Sequence, residues 1–352
     1  MKKFITQLTR FSLIPVTTTL ILLIPYLYYD PFQVVYKYKS FYVSGEPRYV
    51  TLNYDYVDIE TFINNNPIYK YNSFIIGNSR SRFYEMDTWS NYIHSDKCFH
   101  FNASAETLFG ISKKVEFLHA RNVQISNVLI ILDYSTLEGI SNSDGHLFIK
   151  HPILSGQNMR DFQLEFFKTY FSFSFLRAYL DFKTSGKIKD YMKTGALLDD
   201  TPVDYNLKYN EMNLKVFEDK IKADPAKYYN KKRMIPFYQR DTIQKFSPEV
   251  IKKEQIIMLN KIINIFKIHS TNFKIVINPL YDQLKLNRKD VDVLNGIFGS
   301  ENVYDFSGIN SITSDYHNYY ENSHYRPHAA DEIMKLIYQN EQSTGGNKGY
   351  IQ

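Results

Sequence analysis

The sequence predicts an α/β protein. Its body reads as a three-layer α/β/α domain around a mostly parallel sheet of about five strands, with a transmembrane helix before it and a helical insertion within it. Two patterns carry this reading. Short runs that are apolar throughout alternate with helical patterns, as expected of a parallel sheet covered on both faces. A charge-free stretch, Phe11–Tyr29, follows a basic start that holds Lys2, Lys3 and Arg10.

The elements follow in chain order. At nineteen residues, Phe11–Tyr29 makes a helix of about 28 Å, close to the hydrocarbon thickness of a bilayer. Tyr26, Tyr28 and Tyr29 stand where an interfacial belt would lie, and the basic flank places the N-terminus in the cytoplasm. No Ala-x-Ala follows, so a cleaved signal peptide is disfavoured. Residues 1–31 are therefore read as a cytoplasmic stub and membrane anchor, and 32–338 as an extracytoplasmic domain. Residues 32–70 form an aromatic-polar lead-in. Strands are expected at Tyr71–Ile76, Lys97–Phe101, Asn127–Leu132, Asn272–Asn278 and Asn302–Phe306. Helices are expected at Glu106–Arg121, Pro248–His269, Asp290–Phe298 and Pro327–Tyr338. The alternation lapses over 140–246, an insertion rich in Phe and Tyr, whose helix at Asp161–Phe182 is expected to pack its aromatic face on the main sheet layer. Residues 339–352 read as a disordered tail.

Composition narrows the function. The chain has 42 Lys+Arg against 37 Asp+Glu, a net +5 with no basic block, so nucleic acid is not an expected partner. Cys98 is the single cysteine, which excludes an internal disulfide and a Cys-rich metal site. His94, His100 and His119 are too widely spaced for a compact metal motif. Neither a metal nor another cofactor is expected.

Open parallel sheets place their sites outside the carboxyl ends of the strands. The segments there are Gly77-Asn78-Ser79-Arg80, Asn102-Ala103-Ser104, Asp133-Tyr134-Ser135 and Asn278-Pro279, with Glu321-Asn322-Ser323-His324 before the last helix. Ser79 at the head of a helix has its hydroxyl in the field of the N-terminus and a free N–H for an oxyanion. Serine is equally a preferred N-cap. The spacing of Glu321 and His324 puts an acid within reach of an imidazole on one turn. The acid then holds Nδ1–H and leaves Nε2 to take a serine proton. His328, one helical turn on, competes for the same place.

Taken together, these segments resemble the SGNH (GDSL-like) hydrolases. More closely they resemble the membrane-anchored SGNH-like proteins of bacterial surface-polysaccharide clusters, whose layout is similar to that of the alginate O-acetylation and D-alanyl transfer proteins. The likeness lies in the basic start and apolar run, Asp30-Pro31-Phe32, Phe74–Ser81, Phe101–Ser104 and Tyr319–Pro327, and does not extend to the insertion. It implies a serine O-acyltransferase or esterase acting on acyl groups of a surface polysaccharide. Ser79 would be the nucleophile, His324 the base and Glu321 the acid. Asn102, Ser104, Asn78 and Arg80 would line the oxyanion and substrate site. The implied partners are a polysaccharide acceptor and an integral membrane acyl-transfer protein. Three departures stand out: Glu321 replaces the usual Asp, Ser104 replaces a common Gly, and Leu132-Asp133-Tyr134-Ser135 replaces a Gly-x-Asn-Asp block. A catalytically inactive protein of the same fold that binds glycan or assists polysaccharide assembly is the alternative.

Overall fold

Five apolar runs become the strands of one parallel sheet in the computed structural model, which describes residues 2–343. The side chains of Ile14, Thr18, Thr19, Leu22 and 340–343 fall outside that description. The strands are β1 (Ser73–Asn78), β2 (Cys98–Ala103), β3 (Asn127–Leu132), β4 (Asn272–Ile277) and β5 (Val303–Asp305). Their spatial order is β2-β1-β3-β4-β5, all parallel, so the chain starts near the middle and winds outward in both directions. Asn127–Leu132 has the expected bounds, and the other four strands differ from expectation by one or two residues at their ends.

Alternation along the strands divides the core in two. Phe74, Ile76, Phe99, Phe101, Val128 and Ile130 face one layer, built from α2 (Tyr54–Tyr69), α4 (Leu108–Ala120), α5 (Lys253–His269) and α6 (Arg288–Phe298). Ile75, Cys98, Leu129, Ile131 and Val276 face the other, which holds α3 (Met86–Ile93) and α7 (Pro327–Ser343). Trp89 of α3 is fully buried there and donates its indole N–H to Tyr338 of α7 at 2.9 Å. Helix α7 runs past Tyr338 to Ser343, so only 344–352 of the expected tail lie outside the described residues.

The first helix requires a correction. Helix α1 (Lys2–Tyr29) forms, but among the described residues no helix is long and apolar enough to cross a membrane. The expected transmembrane anchor is not found. The apolar run is interrupted by Pro15, by Thr17–Thr19 and by Pro25, and its last turn belongs to the body. Leu23 and Tyr26 join a buried cluster, with the Tyr26 ring 5.0 Å from that of Tyr170 and edge-on to Phe167. Asp30 then fixes the exit by accepting from the N–H groups of Val34, Val35 and Tyr36 and from the Tyr38 hydroxyl.

The lead-in and the insertion fold together. Glu46–Val50 pairs antiparallel with Leu198–Asn206, which pairs with Glu211–Asn213 in a small separate sheet. The aromatic stretch of the insertion breaks into two helices, Met159–Tyr170 and Phe173–Ser185. Their Phe162, Phe166, Tyr170, Phe175 and Tyr179 pack against Phe32, Phe41, Tyr56 and Val57; the packing on the main sheet layer expected from the sequence is not found.

Glu211 in that small sheet is almost fully buried and accepts the Met86 N–H at the head of α3. Burial pushes its carboxyl up to about 7, against the pull of that N–H. In the unfolded chain a Glu titrates near about 4.3. The folded state therefore binds the extra proton, and stability falls as pH rises between those values. Glu211→Gln keeps the acceptor and removes the titration. Urea midpoints at pH 5 and pH 7.5 should show the variant gaining on the parent at the higher pH, by on the order of 2–3 kcal/mol.

Candidate active site

Strand β1 ends at Gly77-Asn78, and the chain leaves it in a 3₁₀ turn over Ser79–Phe83. A Cβ on Gly77 would stand 2.9 Å from the Cβ atoms of both Ile131 and Ser81, so only glycine lets β1 turn this close to β3. Asn78, not Ser79, caps the turn, accepting the Arg80 N–H at 3.0 Å. The capping role proposed for serine is thus taken by its neighbour, and the Ser79 hydroxyl is left for another partner.

That partner is His324, whose Nε2 lies 2.9 Å from Ser79 Oγ. The histidine sits on a short hairpin, Tyr319–Glu321 and His324–Tyr325, which closes the far side of the site. Hydroxyls of Tyr325 and Tyr319 donate to Asn278 Oδ1 and to the Pro279 carbonyl just past β4, and so fix the hairpin at the strand ends. Glu321 is paired across the hairpin with His324. One carboxylate oxygen meets His324 Nδ1 and the other accepts the Ser323 N–H at 2.7 Å. The acid and the base therefore face each other across a two-residue β-turn, not along a helical turn. Burial works to raise the Glu321 carboxyl, but its bond to His324, the Ser323 N–H and the field of Arg80 outweigh it and hold it below the usual range.

The other expected residues are distributed around this centre. Arg80 donates to the Ser323 carbonyl at 2.8 Å and pairs with buried Asp133 at 2.7 Å. Asp133 also accepts from Asn78, Ser135 and Thr136. Burial would raise the Asp133 carboxyl, but Arg80 and these donors together lower it. Asn78 and Arg80 therefore position the site through Asp133, with no contact to Ser79 beyond the chain. Asn102 lies directly across the ladder from Gly77, is fully buried, and among the described residues has no hydrogen-bond partner for its amide Nδ2. Ser104 is half-buried in the turn after β2. His328 turns away to Asn318 Oδ1, and Asp315 binds His317, so neither approaches Ser79.

The histidines considered as metal ligands are scattered. His100 is fully buried against Ser81, and burial, helped by Arg82 and Lys114, pushes it down to about 3. His119 meets His269, ring nitrogen to ring nitrogen at 2.9 Å. Among the described residues no group of three or more His, Cys, Asp and Glu is placed to hold a metal ion. A cleft of about 550 Å³ opens at the β5 edge, between Phe246, Lys285 and Asn295, and shares no lining residue with the Ser79 centre. The sequence reading missed Asp58, which accepts the outward N–H of Asn102, and Arg82, which stands three residues after Ser79 on the same 3₁₀ turn. The i,i+3 spacing of Ser79 and Arg82 was a usable signal for the second.

In comparisons with known proteins, the chain matches no protein-family model and no curated protein. The geometry of the site therefore has to carry the functional reading by itself.

Asp133 is the most connected of these groups. Asp133→Ala leaves the Arg80 guanidinium without its counter-charge and Asn78 without an acceptor. Unfolding by urea should show a loss of about 3–5 kcal/mol, the usual penalty for stranding one member of a buried pair. A loss under about 1 kcal/mol would mean that Arg80 and Asn78 find other partners.

Proposed function

We propose that this protein is a serine-dependent acyltransferase or esterase of SGNH type. It acts on acyl groups, O-acetyl first among them, carried by a polysaccharide. The observation that carries the reading is the chain of contacts from Ser79 Oγ through His324 to Glu321, which is the order nucleophilic acyl transfer requires.

In this mechanism Ser79 Oγ attacks the acyl carbonyl carbon while His324 Nε2 takes the hydroxyl proton. Glu321 holds the ring through Nδ1–H and stabilises the imidazolium that forms. Negative charge develops on the carbonyl oxygen, with the Ser79 N–H and the unpartnered Asn102 amide as its donors. Collapse breaks the ester C–O bond, and the departing oxygen takes the proton back from His324. An acyl-serine remains. Water resolves it in an esterase, and a glycan hydroxyl resolves it in a transferase. In the transferase direction the acyl group arrives from a second protein, the integral membrane partner that the resemblance implies.

Hydrolysis of p-nitrophenyl acetate tests the reading. The parent should turn over, Ser79→Ala should not, and mass spectrometry should find the acyl group on the peptide that contains Ser79. Glu321→Gln should lower turnover by up to about 10⁴, the loss seen when an orienting carboxylate is neutralised. Glu321→Asp should also lose activity, because the shorter side chain cannot span the hairpin to Nδ1. Equal rates for parent and Ser79→Ala would overturn the proposal.

A further inference from the structure

The hairpin that carries Glu321 and His324 is too small to hold itself. Two residue pairs make up its ladder, Glu321 with His324 and Tyr319 with Tyr325, and an irregularity separates them. A lone two-stranded hairpin is marginal in water at best. The aim of His324 Nε2 at Ser79 Oγ, 2.9 Å away, is therefore set by what grips the hairpin from outside. The body of the domain grips the tip and the buried face. Arg80 takes the Ser323 carbonyl, and the Tyr319 and Tyr325 hydroxyls reach the segment after β4.

The open end is gripped by the insertion. Its helix Lys215–Ala223 turns Phe217 and Ile221, one turn apart, toward the core layer that holds Tyr320 and Tyr325. The Phe217 ring lies 5.7 Å from Tyr320, which lies 5.5 Å from Phe83 on the turn that carries Ser79. Glu218, the next residue on, accepts twice from Arg326, from Nε at 2.9 Å and from Nη2 at 2.7 Å.

Arg326 stands two residues past His324, immediately before α7. Its Nη1 donates to the His317 carbonyl at 3.0 Å, and its backbone N–H donates to the Asn318 carbonyl at 2.8 Å. One residue thus ties the chain entering the hairpin to the chain leaving it. Tyr229, also of the insertion, donates its hydroxyl to the Tyr319 carbonyl at 2.9 Å. Burial works to raise the Glu218 carboxyl, but the bonds and charge of Arg326 lead the groups that hold it below the usual range. A partly exposed ion pair adds little net stability. A bidentate Arg–carboxylate pair does fix both a distance and a plane, so the worth of this one is geometric.

We propose that Glu218 is a positioning residue for the candidate base: through Arg326 it fixes the open end of the hairpin, and with it the line from His324 Nε2 to Ser79 Oγ. The consequence for the rate rests on the acyl-transfer reading, whereas the placement of the ring does not.

The test therefore reads both. Full-length Glu218→Gln, Arg326→Gln and the double variant are compared with the parent in p-nitrophenyl acetate hydrolysis. In ¹⁵N-histidine-labelled protein the ring signals of His324 are followed by NMR, assigned by their loss in His324→Asn. A misplacement of about 1 Å costs up to about a hundredfold in rate. Each single variant should lower kcat by about tenfold to a hundredfold with KM unchanged. The double variant should lose no more than either single, because the two residues act through one contact. Arg326→Lys, which keeps the charge but loses the fork, should fall between. The His324 Nδ1–H resonance, held on Glu321 in the parent, should broaden in Glu218→Gln as the hairpin loosens. Should that variant fail to fold, Tyr229→Phe makes the same test at the same end with the ion pair left in place. An unchanged His324 spectrum overturns the proposal whatever the rate does, and so do losses that add in the double variant. A spectrum that shifts as expected, in a protein whose parent turns over no ester, keeps the clamp and removes the enzyme.

Discussion

The Asp133 carboxylate holds the candidate site together. It is 1% exposed and accepts from four side chains and one backbone N–H on two strand ends. Through Asn78 it fixes the turn that carries Ser79. Through Arg80 and the Ser323 carbonyl it fixes the hairpin that carries His324. Residues some 245 positions apart in sequence meet at hydrogen-bond distance because each is one step from the same buried charge. Such a carboxylate is stable in the interior only while its donors stay in place, so the pair specifies geometry more than it adds net stability. The segment after β3 thus has a physical role of its own.

Much of this arrangement was legible in the sequence, for one reason. A parallel strand buried on both faces must be apolar throughout, and its carboxyl end must be where the chain becomes polar. The strands and the polar segments after them could therefore be read directly. Helix α2 could not, because it buries Asp55, Asp58, Thr61 and Asn65. Asp55 there meets Lys114 and Lys150, which also pair with Glu106 in a network closed off from water. No amphipathic pattern announces a helix whose inner face is charged. Leu198–Asn206 was equally opaque. It contains Pro202 and three aspartates and is only half-buried, so it reads as a loop until Glu46–Val50 pairs with it. The transmembrane reading failed on a different ground. A window of apolar residues does not reveal that its last turn will be buried by Tyr170 and Phe167.

The β2 edge of the sheet is covered, and the cover bears on the site. Strand β2 is an edge whose outward groups would template another strand if left bare. Here the His100 N–H donates to the Tyr209 carbonyl, Asn210 Nδ2 donates to the His100 carbonyl and to Asp58, and the Asn102 N–H donates to Asp58. The insertion thus covers the edge at His100, while Asp58 of α2 holds the backbone N–H of Asn102. Burial raises the Asp58 carboxyl well above its ordinary value, against the pull of Lys114 and of the Asn210 and Asn102 donors. The insertion is in this sense part of the site's scaffold.

The hairpin accounts for the choice of acid. Opposed residues on antiparallel strands hold their Cβ atoms about 4.5–5.5 Å apart, and the register pairs Glu321 with His324. The imidazole must extend away from the hairpin to bring Nε2 to Ser79, so its Nδ1 faces back toward the partner strand. An acid on that strand has to cross the gap and turn toward the ring, while its second oxygen reaches the Ser323 N–H in the turn. Two methylenes allow both contacts at once. With one, the carboxylate must give up either the turn or the ring. The Ser323 N–H matters here because Ser323 also presents its carbonyl to Arg80. A single peptide segment is thus held from both sides, by Glu321 through its N–H and by Arg80 through its C=O. A glutamate rather than an aspartate at this place follows from carrying the histidine on a strand, since the longer side chain both meets the ring and closes the turn that presents it.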